Sequence, residues 1–188
     1  HDGRGCFRGQ GWLIAALQNN MHVKVLMLHM QNFDEAEHDL SPLLNYIETN
    51  DTLQCVLLNN ENETMDEWVE SFILATTKNP SNPMVTLQQM CIPTTSFVRI
   101  MALNMRKLGL CCVQFLAHHQ DALVDELMAA FATNTMLHTL SLCRFGGSNS
   151  FVSILQSLSQ QTTLCKILVD ITRFDVNKEH TFLVLGTF

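Results

Sequence analysis

A polar residue followed by a short apolar alternation recurs along this chain. Residues 134–142, NTMLHTLSL, show it most fully: Asn134, then Leu137, Leu140 and Leu142, at the spacing N-x-x-L-x-x-L-x-L. A polar position ahead of alternating apolar ones predicts a turn leading into a strand. The same spacing gives Asn20, Val23, Leu26 and Leu28; Asn50, Leu53, Val56 and Leu58; and Gln161, Leu164, Ile167 and Val169. Two weaker copies fill the gap: Asn79, Asn82, Val85 and Leu87, then Lys107, Leu110, Val113 and Phe115. The anchors at 20, 50, 79, 107, 134 and 161 recur every 27–30 residues, which marks a repeat protein.

Ahead of each anchor the period changes. Leu13, Leu43, Phe72, Ile100, Leu127 and Ile154 stand seven residues before it, and Ile14, Leu44, Ile73, Met101, Met128 and Leu155 stand six before. Leu40, Val69, Phe97, Val124 and Phe151 lie one turn further back. Offsets of three, four and seven describe one face of a helix, so each unit is predicted as helix, turn and strand. Ser41-Pro42, Asp66, Ser96, Asp121 and Ser150 are the expected helix starts. Residues 1–11, with four glycines and no periodicity, read as a linker or frayed N-terminal edge. Residues 12–188 read as one domain of six repeats, with a partial seventh helix over 178–188.

Such a unit cannot bury its helix face and its strand face alone, but a stack of units can. The alternation then sends Leu53, Val56, Leu58 and their equivalents into the core. The alternate set faces outward in three rows. The first is Val25, Cys55, Met84, Cys112, Thr139 and Lys166. The second is Met27, Leu57, Thr86, Gln114, Ser141 and Leu168. The third is His29, Asn59, Gln88, Leu116, Cys143 and Asp170.

Over residues 12–172 these units resemble leucine-rich repeats of the ribonuclease-inhibitor-like subfamily. The resemblance implies an α/β, right-handed leucine-rich-repeat solenoid, a horseshoe with parallel strands on the concave face and helices on the convex face. It also implies protein binding on the concave face or its edges. Two departures stand out. Asn82 occupies an apolar position, and the family's Asn or Cys after each strand is replaced by Gln31, Glu61, Met90, His118, Phe145 and Thr172.

Charge and composition sharpen this picture. The net charge is −7, and residues 31–70 hold 11 of the 18 acidic residues with no Lys or Arg. Nucleic-acid binding would need a basic face, which the sequence does not announce. The acidic block reads as a solvated surface, or more sharply as a docking face for a basic protein partner. Seven cysteines without paired spacing point to reduced thiols and an intracellular compartment. No apolar run approaches a membrane span. The sequon at Asn50 coincides with a repeat anchor, so chance explains it; a second lies at Asn62.

Candidate chemistry is sparse. Adjacent strand residues such as Cys111 and Cys112 point to opposite faces, so they do not join His118 and His119 around one metal. RGCFRGQG (4–11) lacks the lysine and preceding strand of a phosphate loop. Arg144 past a strand is the only echo of a GTPase-activating arginine, and it has no acidic tract beside it. No metal, cofactor or catalytic group is therefore expected, and the chain reads as a non-enzyme. The outward rows are unusually apolar at their N-terminal end, and methionines there adapt to irregular partners. Val25, Met27, His29, Cys55, Leu57, Asn59, Met84 and Cys112 are the expected partner-binding residues. The expected function is a non-catalytic protein-interaction or scaffold module. The alternative is an accessory subunit of a large assembly, with apolar ends covered by neighbours. A regulator of a GTPase, or a ubiquitin-ligase substrate receptor, is the least favoured reading.

Overall fold

The structure is a computed structural model that describes residues 16–17, 20, 22–29, 39–61, 67–117, 122–143, 149–158, 163–170 and 182–185. Its elements follow the predicted rhythm. They are β1 (Val25–His29), α1 (Ser41–Thr49), β2 (Cys55–Asn59), α2 (Glu67–Lys78), β3 (Met84–Gln88) and β4 (Cys91–Pro93). Then come α3 (Thr94–Ala102), β5 (Lys107–Cys111), β6 (Gln114–Leu116), α4 (Leu123–Thr133), β7 (Thr139–Cys143), α5 (Asn149–Ser157), β8 (Lys166–Asp170) and β9 (Phe182–Leu185). Strands β1, β2, β3, β5, β7 and β8 pair in parallel in chain order, forming an open six-stranded sheet. This is a mixed α/β fold in which helices separate successive strands of the main sheet.

The register confirms which alternate residues are interior. Val56 pairs with Leu26 and Val85, Leu140 with Leu108 and Ile167, and all of these are buried. They share one hydrophobic core with Tyr46 and Ile47 of α1, Trp68, Val69, Phe72 and Ile73 of α2, Phe97, Ile100 and Met101 of α3, and Leu127 and Phe131 of α4. Phe97 packs edge-on against Phe115 at 4.8 Å and against Phe131 at 5.4 Å, so α3, β6 and α4 meet at one ring. Edge-to-face packing matches the ring quadrupoles and adds roughly 0.5–1.5 kcal/mol per pair beyond area burial.

The anchor asparagines explain the turns. Asn50 and Asn134 end their helices in extended conformation, and both are buried with Asn79. Each side-chain oxygen accepts the backbone N–H two residues on, at 2.9 Å (Thr52), 2.7 Å (Ser81) and 2.8 Å (Met136). Each amide nitrogen donates elsewhere. Asn50 donates to the Tyr46 hydroxyl (2.6 Å), Asn79 to the Asn50 and Ile47 carbonyls, and Asn134 to the Met105 carbonyl (3.0 Å). In Asn79 and Asn134 one side chain thus shapes its own turn and ties it to the preceding unit, satisfying backbone groups that burial would otherwise strand.

Three expectations change. In the fourth unit the strand in the main sheet is Lys107–Cys111, not the segment around Val113, because Leu108 pairs with Val85 and Leu140. Leu103 takes the helix-end position of Asn50 and Asn134, and the strand starts one residue sooner. Cys112 lies past the strand with φ 54°, like Gln89 one unit earlier with φ 50°. These left-handed residues turn the chain into β6 and β4, which pair with each other in a separate two-stranded sheet. Second, Phe182–Leu185 forms a strand antiparallel to β8 where a seventh helix was expected. It covers the β8 edge of the main sheet. Third, α1 is preceded by Leu40 without a side-chain cap, with Asp39 accepting the Ser41 amide at 2.9 Å. α3 begins at Thr94, so Ser96 is inside it.

Candidate functional site

The candidate surface is the sheet face turned away from the core. Its residues are set by strand alternation, so the register decides its membership. At the N-terminal end Val25 is 57% exposed and Met27 53%, with His29 beside them on β1. Val25 pairs with Cys55, Met27 with Leu57 and His29 with Asn59 on β2, and Cys55 pairs with Met84 on β3. Cys55, Leu57 and Met84 are half-buried. Val25, Met27, Leu57 and Met84 therefore form a contiguous apolar strip across three strands. Among the described residues the other large exposed apolar side chains, Leu74, Leu116, Met136 and Val152, lie on four different elements or loops and are scattered.

Two expected site residues leave this surface. Asn59, the last residue of β2, is only 3% exposed. Its amide donates to Gln89 Oε1 at 2.8 Å and its oxygen accepts the Glu61 N–H at 2.9 Å. Cys112 is displaced by the register, as described above. In place of Cys112, Gln114 and Leu116, the outward residues of the fourth main-sheet strand are Lys107, Gly109 and Cys111. The signal was in the sequence, because Met105, Leu108 and Leu110 also fit L-x-x-L-x-L, five residues ahead of the copy that matched the period better.

The middle of the face is small and tightly built. A Cβ placed on Gly109 would lie 2.6 Å from Thr86 Oγ1, its register partner on β3. Thr86 in turn approaches Cys55 Sγ at 3.7 Å. Burial pushes the Cys55 thiol above its ordinary pKa, and the Thr86 contact opposes that rise. A raised thiol pKa argues against a nucleophilic role. Among the described residues no group of three or more His, Cys, Asp or Glu side chains could hold a metal ion. His118, His119 and Arg144 lie outside the described residues. The six cysteines at 55, 91, 111, 112, 143 and 165 are thiols. Asn50, buried and bonded through its amide, is unsuited to glycosylation in the folded chain.

Charge divides this face. Lys107 pairs with Thr139, and Thr139 with Lys166, placing two lysines in one row across β5, β7 and β8. Arg106 and His138 stand exposed at the entrances to β5 and β7. No protein-family model matches the chain, and no curated protein matches it. No helix among the described residues is long and apolar enough to cross a membrane.

Proposed function

We propose that this chain is a leucine-rich-repeat solenoid that acts as a non-catalytic protein-interaction or scaffold module. The supporting observations are six parallel strands in chain order, the repeated L-x-x-L-x-L interior and the turn asparagines. The single observation that carries the interaction reading is the apolar strip of Val25, Met27, Leu57 and Met84 on a sheet face. A solvated sheet face is ordinarily polar, and contiguous apolar surface marks an interaction site. The binding residues are Val25, Met27, His29, Cys55, Leu57 and Met84. Affinity capture from the native source tests this: Met27→Asp and Leu57→Lys should each abolish capture of a partner while thermal unfolding stays cooperative. Unchanged capture by both variants would remove this face from the binding site.

A second reading is an accessory subunit of a larger assembly, whose neighbours would cover the apolar edge. It draws on β1, which among the described residues is an edge strand of the main sheet and exposes Val25 and Met27. Exposed apolar edges invite pairing with another chain. On this reading the isolated chain aggregates, and a thermally robust monomer counts against it. The acidic stretch 31–70 supports a separate docking face for a basic partner.

A further inference from the structure

We infer that the partner presents an acidic, extended peptide segment to the cationic end of the same sheet face, an inference that rests on the proposed interaction role of that face. The cations are Arg106, Lys107 and Lys166, on β5, its entrance and β8, with His138 between them at the entrance to β7. With strands about 4.8 Å apart, the Lys107 and Lys166 stems are separated by about 10 Å. Carboxylates on alternate residues of an extended chain stand about 7 Å apart, a span that the flexible lysine side chains can meet.

Three observations single out this corner in an acidic protein. Residues 71–120 contain no Asp or Glu, and neither do residues 127–169. Lys78 and Arg99, on the helices, are engaged with Glu48 at 2.8 Å and Glu70 at 2.9 Å. Among the described residues Arg106, Lys107 and Lys166 have no such carboxylate within ion-pair distance. Finally, Thr86, Gly109 and Ser141 form a lane of small residues beside Lys107, continuous with the apolar strip of Met27 and Leu57. A peptide lying along it can approach the sheet closely, with apolar side chains at one end and carboxylates at the other.

The occupant is a peptide in preference to a nucleic acid. A net charge of −7 repels a polyanion, and three cations in one corner do not make the long basic track that phosphate backbones require. Short-range pairing with a few carboxylates survives that unfavourable field.

The experiment is an anisotropy titration with a fluorescein-labelled peptide of alternating leucine and aspartate. An analogue with asparagine at every aspartate and a single-stranded oligodeoxythymidylate are titrated alongside. The acidic peptide should bind about tenfold more tightly than its asparagine analogue, the sum of a few exposed ion pairs. That preference should vanish in Lys107→Glu/Lys166→Glu, shrink in Lys107→Gln/Lys166→Gln, and fade between about 50 and about 300 mM salt. Met27→Asp should weaken both peptides. Equal binding of the two peptides by the unmodified protein, both lost in Met27→Asp, would overturn the acidic partner and leave the interaction face standing. Binding of neither peptide would count against both. Tighter binding of the oligonucleotide would make nucleic acid the occupant and overturn the inference.

Discussion

At the residue scale, the asparagines at the helix ends do more than mark a turn. Asn134 is buried, and removing its side chain strands the Met105 carbonyl and the Met136 amide together. Each unsatisfied buried group costs roughly 1–3 kcal/mol, so Asn134→Ala should lower the stability by about 2–4 kcal/mol in denaturant titration. Asn20, which is exposed, makes the same local bond to His22 at 3.0 Å, and Asn20→Ala should cost less. Cys55 supplies a pH signature. Its burial raises the folded-state pKa above the ordinary value of 9.0, so the folded chain holds this proton more tightly than the unfolded one. Its contribution is complete below about pH 9 and is lost as pH rises from there through the folded value. Tyr46, raised by desolvation, acts in the same direction from 10.0 upward. Replacing Cys55 by Ala should therefore flatten the early part of the alkaline fall in melting temperature. An unchanged alkaline profile would refute that role. The asparagines were legible as anchors from their spacing. That their amides bond the preceding unit was not, because a period says which positions are equivalent and nothing about what they touch.

At the element scale, the instructive case is the fourth unit. Two overlapping copies of one motif compete there, Met105-Leu108-Leu110 and Leu110-Val113-Phe115. The regular period favours the second, yet the first builds the main sheet, since its Leu108 and Leu110 pair with Val85 and Leu87. The alternation read from Val113 and Phe115 was still right, because both are buried while Gln114 and Leu116 are exposed. It belongs to β6 in the second sheet. Gly109 obscured the true strand, having low strand propensity and no side chain to declare a face. Two substitutions test this register. Cys112→Gly should leave stability unchanged or slightly higher, because φ 54° suits glycine. In a regular strand the same change would cost about 1 kcal/mol. Gly109→Ala should destabilise by about 1–3 kcal/mol, since the new methyl meets Thr86 at 2.6 Å. Thr86→Ala in the same chain should recover most of that loss. Failure to recover would mean that these two positions are not neighbours.

For the whole molecule, the parallel strands and the helix–strand order were readable because burial imposes two distinct periods, near 3.6 in helices and 2 in strands. The surface was only partly readable. Val25, Met27 and Leu57 were placed correctly on the outward face because their strands begin at regular intervals. Cys112 was misplaced by the irregular unit, and Asn59 was misjudged because hydrogen bonding to Gln89 and Glu61 buries a residue whose type suggests solvent. The cationic corner was hidden by the same register error, which kept Lys107 out of the row it shares with Thr139 and Lys166. Among the described residues, the sheet face thus has an apolar end and a basic end, and the large exposed apolar side chains of the helices, Leu74 and Val152, lie apart on α2 and α5. The most direct test of that face is site-specific photo-crosslinking in the native source, with the reactive residue in place of Met27 in one preparation. In a second preparation it replaces Leu74, an equally apolar and 43% exposed position on α2. The account predicts a discrete protein adduct from position 27 and none from position 74. Adducts of equal yield from both positions, or from position 74 alone, would contradict it.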